Sequence, residues 1–151
     1  MNVGVNEQLN RMAFYGRGPF ENYADRNQGA DLGLYTGAVS EFVYDYVRPQ
    51  ENSNRTDVDW LQLKQANGVS LTIDGIEPLS MSVWPWTAEQ LDKAAHPYEL
   101  SDNTFNTVNI DLIQAGVGGN DRWSPKAAPI EQYQLPAGQY EYRFVISTTN
   151  R

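Results

Sequence analysis

The sequence predicts an all-β fold, an antiparallel sandwich with one short helix, and three observations carry that expectation. Short runs of alternating apolar and polar residues follow one another along nearly the whole chain, separated by Gly, Pro, Asn and Asp. Nine Tyr, four Trp and five Phe make the apolar content aromatic, which suits a pleated sheet better than a helical bundle. Only one segment carries helix-start chemistry. At 151 residues the chain has the size of one domain, and no repeat, low-complexity tract or interior linker divides it.

Taken in order, "MNVGVNEQLN" alternates as a strand, with Met1, Val3 and Val5 on one face, and it lacks the basic and apolar regions of a signal peptide. An entry this abrupt suggests part of a longer domain. "NRMAFYG" is a strand candidate that runs into a Gly-Pro loop, and "LGLYTGAV" and "EFVYDYV" follow as two more. In the second of these Phe42, Tyr44 and Tyr46 share one face, and Pro49 ends it. "DWLQLKQANGVSLTIDG" has a hairpin pattern, with Leu61 and Leu63 opposite Trp60, Gln62 and Lys64, and Asn67-Gly68 at the turn. "LSMSVWPW" puts Leu79, Met81 and Val83 on one side before Pro85 stops it. "TAEQLDKAA" is the helix: Thr87 with Gln90 three residues on forms a capping box, and Pro97 ends the segment beyond His96. "FNTVNIDLIQAG" and "GQYEYRFVIST" complete the strands.

Composition excludes several functions. A net charge of −8 opposes phosphate backbones and anionic membrane surfaces, so neither nucleic acid nor membrane is an expected partner. The absence of Cys removes disulfides, thiol nucleophiles and Cys–zinc sites, while one histidine, His96, rules out a multi-histidine metal centre. No apolar run approaches the roughly 18 residues of a membrane span. Composition leaves the compartment open.

Three polar loops combine turn residues with charged and aromatic side chains: 15–26, 48–60, and 116–125 with "HPYEL" at 96–100 just upstream. Glu21 with Asp25, or Glu51 with Asp57, offers paired carboxylates of the kind glycoside hydrolysis uses, but nineteen acidic residues make chance pairs common. Salt bridging to Arg17, Arg26 and Arg55 is the plainer reading. His96 has the ordinary chemistry of a general base, against the plainer reading of a hydrogen-bonded structural histidine. "GVGG" lacks the lysine and serine of a phosphate loop. Trp123, on a glycine-rich loop ending in Ser124-Pro125, offers an apolar face and an N–H handle to a sugar; the alternative is a plug at the sandwich end. Trp60, Trp84 and Trp86 lie in strand patterns and read as core or interface.

"YGRGPFENYADR", "YVRPQENSNRTDVDWL", "HPYEL", "VNIDLIQAGVGGNDRWSP" and "YQLPAGQYEYRFVI" occur in the order in which they stand in the C-terminal domain of glycoside hydrolase family 2 β-galactosidases, the small-chain domain, which this chain resembles from about Leu9 to Ser147. The resemblance implies an antiparallel super-sandwich of the galactose-mutarotase-like type, of which this chain would be the C-terminal part. It also implies that the catalytic carboxylates belong to a separate TIM-barrel domain, so no catalytic residue is assigned here. What carries over is Trp123, as an apolar wall for the bound sugar or its aglycone, with Gly118, Gly119, Asp121, Ser124 and Pro125 shaping the loop.

Asn120 and Arg122 depart from some members, and Arg122 would bear on the leaving-group side. Mutarotases of this fold use a histidine and a glutamate, which invites comparison with His96 and Glu99, but the match is not at the level of a motif. The implied partners are a β-galactoside, the other domains of the parent enzyme and further copies of it. No cofactor is expected in this chain, and any metal ion is left to domains outside it. The alternatives are a stand-alone galactoside-binding module and, behind it, an aldose mutarotase. One tryptophan wall is not a pocket, so sugar binding by the chain alone is expected to be weak or absent.

Overall fold

A computed structural model describes residues 1–101, 103–119 and 124–149. Seven strands form one antiparallel sheet: β1 Asn2–Asn6, β2 Arg11–Gly18, β3 Asp31–Ala38, β4 Arg55–Lys64, β5 Ser70–Trp84, β6 Phe105–Asp111 and β7 Phe144–Thr149. Their order is β1-β6-β5-β4-β2-β3, and β7 joins the free stretch of β5 beside β6. Among the described residues the single α-helix, α1, is Ala88–Lys93.

Alternation decides which face each side chain takes. The register sets Phe14 against Leu61 and Leu61 against Ile73, with Met12, Leu63 and Leu71 in the next row. These rows, with Val58, Leu79, Met81, Val83, Val108 and Ile110, make one buried core, over which Val39 and Phe42 fold from the end of β3. The opposite face carries a second row, Leu34–Tyr15–Trp60–Asp74–Val145, read across β3, β2, β4, β5 and β7. Leu34 is 62 % exposed and Val145 52 %. Trp60 therefore sits half-buried on this outer face and not in the core.

The helix has the capping box its sequence predicts: the Gln90 amide donates to Thr87 Oγ1 at 3.1 Å, and the Thr87 amide to Gln90 Oε1 at 2.8 Å. The hairpin turns at Asn67-Gly68, with Gly68 at φ 94° and the Asn67 side chain accepting from the Val69 amide at 3.1 Å. Two strand expectations are corrected. Residues 79–83 do not start a new strand but continue β5, which absorbs Gly75 to Pro78 as a register shift against β4.

"EFVYDYV" is not a strand. Residues 39–41 form a 3₁₀ turn and 42–48 run irregularly. Here the apparent alternation serves two ends: Phe42 turns into the core against Phe14, ring centroids 5.6 Å apart, while Tyr44 and Tyr46 lie against each other at 4.9 Å outside it. Strand β6 stops at Asp111 and β7 starts only at Phe144, both shorter than their patterns. Among the described residues no helix is long and apolar enough to cross a membrane.

Leu63 is completely buried between Met12 and Leu71, so truncation there empties the middle of the sheet. Leu63→Ala is expected to lower unfolding free energy by about 2–5 kcal/mol in denaturant melts. A loss below 1 kcal/mol would place the core elsewhere.

Candidate functional site

Three segments distant in sequence meet beyond one end of β2 and β4: residues 19–26, 43–54 and 114–119. Asn22 joins the first two. Its side-chain amide donates to the carbonyls of Arg17 at 3.0 Å and Phe20 at 2.9 Å, and its Oδ1 accepts from the Thr56 amide and hydroxyl at 3.0 and 2.6 Å. Asn54 returns the contact, donating from its side chain to the Asn22 carbonyl at 2.8 Å. Arg17 reaches Asp57 at 2.5 Å, and Asp57 has a left-handed backbone (φ 53°) where β4 shifts register against β5.

Arg55 lies beneath this junction and is only 4 % exposed. Its guanidinium donates to the Pro19 carbonyl at 2.8 Å, the Phe42 carbonyl at 3.1 Å, Ser53 Oγ at 2.9 Å and the Ser53 carbonyl. Its Nε has no hydrogen-bond partner among the described residues, and the group rests over the rings of Phe42 and Phe14 at 5.3 and 5.9 Å. Burial pulls its pKa down to about 10, which still leaves the guanidinium charged at neutral pH. Reading Arg55 as a surface partner for a carboxylate is thereby corrected: backbone carbonyls, and not an acid, satisfy it.

The candidate carboxylate pairs have other occupations. Glu21 accepts from the Tyr46 hydroxyl and, at 2.9 Å, from the Ser53 amide. Asp25 accepts from the amides of Val117 at 3.0 Å and Gly118 at 2.7 Å, tying the third segment to the first. Glu51 accepts from Gln114 at 2.9 Å, and Asp57 holds Arg17. Glu21, Asp25 and Glu51 each anchor a loop, and Asp57 ties β4 to β2. Burial first, and then Glu21, lifts Tyr23 above the ordinary tyrosine range.

Asp121, Arg122 and Trp123 lie outside the described residues. On one side of them Gly118 and Gly119 have φ of +64° and +110°, and a Cβ at Gly118 would collide with the Ala127 carbonyl. The Gly119 amide donates to that carbonyl at 3.0 Å. On the other side Ser124 precedes a 3₁₀ turn, Pro125–Ala127, and accepts from the Lys126 amide at 3.2 Å.

His96 and Glu99 sit apart, on the exposed 3₁₀ turn Pro97–Glu99. His96 Nδ1 is 3.1 Å from Glu99 Oε1, and its ring stacks on Tyr98 at 5.1 Å. The Ala95 amide, first, and His96 hold Glu99 below the usual carboxylate range. Among the described residues no hydrogen bond links this pair to the loop junction. Nor do three His, Asp or Glu side chains gather anywhere among them to hold a metal ion.

Beside the junction opens a cleft of about 700 Å³, lined by Phe20, Glu21, Arg26, Glu41, Tyr44 and Arg55 among others. The sequence reading passed over it because residues 41–47 read as a strand. The signal is Tyr44 and Tyr46 flanking Asp45 just before Arg48-Pro49.

The ordered loops and the antiparallel sheet agree with the comparisons. The chain matches the family model "Beta galactosidase small chain" over residues 1–146, and it belongs to that family. It is 38 % identical over 125 residues to a β-galactosidase of Priestia megaterium, covering 83 % of this chain and 12 % of that protein. With a β-galactosidase of Halalkalibacterium halodurans it shares 40 % over 140 residues, 91 % of this chain and 14 % of the other. One from Lactobacillus delbrueckii subsp. bulgaricus is 39 % identical over 130 residues, 85 % and 13 % of the two chains. The chain thus spans about one eighth of the length of these relatives.

Burial first, and then the bond to Glu21, have Tyr46 pushed up to about 12 from its ordinary 10.0. The folded state holds this proton more tightly than the unfolded chain, so the stabilisation is complete below pH 10.0 and is lost as pH rises towards 12. Tyr46→Phe is expected to remove that alkaline loss and to cost about 1 kcal/mol at neutral pH, measured by denaturant melts across pH. An unaltered pH dependence would remove Tyr46 from the anchors of the junction.

Proposed function

We propose that this chain is the C-terminal accessory part of a β-galactosidase, which lends structure to the hydrolysis of terminal β-D-galactosides while another domain supplies the catalytic carboxylates. The observation that carries this reading is a family match across residues 1–146 of a chain that occupies only about one eighth of its relatives. The structural occupation of Glu21, Asp25, Glu51 and Asp57, each bonded within the chain, supports it. The half-exposed row Leu34–Tyr15–Trp60–Val145 supports a second layer packed on the outer face, completing the super-sandwich from residues upstream. Contacts to other domains, and between copies of the parent, belong to the same reading.

Within the parent, Trp123 serves as an apolar wall of the sugar or aglycone site. Asp25 supports this role from a distance by clamping the amides of Val117 and Gly118, and Gly118 and Gly119 take backbone conformations that side chains resist. The loop that carries Trp123 leaves a fixed base. Asp121, Ser124 and Pro125 shape the rest of it, and Arg122 lies beside the wall in sequence. His96 and Glu99 form a local pair on the surface, and no mutarotase role is proposed for them.

Two outcomes follow. The purified chain should not hydrolyse a chromogenic β-galactoside; turnover above a no-protein control would overturn the accessory reading. In the full-length parent, Trp123→Ala should lower kcat/KM by about 10- to 200-fold with the fold intact. Unchanged kinetics on several galactosides would make Trp123 a structural plug.

A further inference from the structure

We propose that the cleft formed by residues 19–26 and 41–46 is a binding site for a neutral sugar ring. Its volume of about 700 Å³ falls in the range of small-ligand sites. Two of its walls are aromatic and open. Phe20 is 68 % exposed and Tyr44 59 %, although each is large enough to be expected inside.

The charges at the cleft select the ligand. Both terminal nitrogens of Arg55 are taken by the carbonyls of Pro19, Phe42 and Ser53 and its unpaired Nε is buried, while Glu21 is held by Tyr46 and Ser53, so neither presents an open charge to the cleft. The cleft is lined by two arginines, Arg26 and Arg55, and two glutamates, Glu21 and Glu41, and the whole chain carries −8. An anionic ligand meets no net attraction. The free polar functions are the Arg26 guanidinium and the Tyr44 hydroxyl, both without a hydrogen-bond partner among the described residues, and Glu41 Oε1. Glu41 Oε2 already accepts from the Ala38 amide at 2.7 Å. A donor, a donor-acceptor and an acceptor around aromatic faces complement a pyranose, which presents a C–H face and a rim of hydroxyls. A flat aromatic ligand would use the walls and leave Arg26 and Glu41 unmatched.

The backbone of the site is fixed before any ligand arrives. Asn22 and Arg55 hold the Phe20 side, and Tyr44 accepts no freedom at its amide, which donates to Asn52 Oδ1 at 3.1 Å. Little ordering is therefore left to oppose binding.

The test is titration of the 151-residue chain with galactose and lactose, followed by amide shifts in two-dimensional NMR, with galacturonate as the charged comparator. Saturable shifts confined to residues 20–26 and 41–46, with a dissociation constant on the order of 1 mM, are expected. Phe20→Ala and Tyr44→Ala, both exposed positions whose folding the same spectra verify, should each weaken binding by about tenfold. Any of three results would overturn the proposal: no saturable shift with either neutral sugar, binding that survives both aromatic substitutions, or tighter binding of galacturonate. Saturable shifts centred outside residues 20–26 and 41–46 would overturn the proposal as well, and would leave the accessory reading intact.

Discussion

A guanidinium buried at the start of β4 governs how the loops of this protein can lie. Water is not available to Arg55 at 4 % exposure, so each of its donors has to find an acceptor in the protein or leave a charged group unsatisfied. The acceptors it finds are backbone carbonyls from three separate places: Pro19 after β2, Phe42 after the 3₁₀ turn, and Ser53 just before β4. Each loop is thereby fixed at one carbonyl. Aromatic faces from Phe14 and Phe42 then close over the group, so the charge joins the hydrophobic core to the polar surface.

The asparagines extend this constraint outward. Asn22, Asn52 and Asn54 are all buried, and each uses its side chain where a strand would use its ladder, bonding backbone groups that would otherwise be orphaned. Asp25 does the same for the third loop. The chemistry of this surface is geometric: its amides and guanidinium hold the backbone that carries Phe20 and Tyr44.

Periodicity made the sheet legible and left the junction obscure. Leu61 and Leu63 alternating with Gln62 and Lys64 specify one face without ambiguity, and Thr87 with Gln90 specifies the helix start, because both signals act within a few residues. Phe42, Tyr44 and Tyr46 alternate equally well, yet Phe42 is held by the core and the two tyrosines by loop contacts, a division that tertiary packing alone decides. The burial of Arg55 was equally hidden. Its partners are carbonyls, which every residue carries, so no side-chain pattern marks them. Loop proximity was hidden too, since composition says nothing of which loops meet and Asp25 reaches Val117 across some ninety residues of sequence.

Strand β5 runs from Ser70 to Trp84 and takes two neighbours on one edge: β6 along Ser80–Trp84 and β7 along Ser70–Gly75. Both come later in the chain, and β7 is the last of the described strands. During synthesis the stretch Ser70–Gly75, which includes Leu71 and Ile73, has an open row of amides and carbonyls until residues 144–149 leave the ribosome. The order of manufacture thus runs against the order of pairing, and the interval between them is the time in which another chain can occupy that edge.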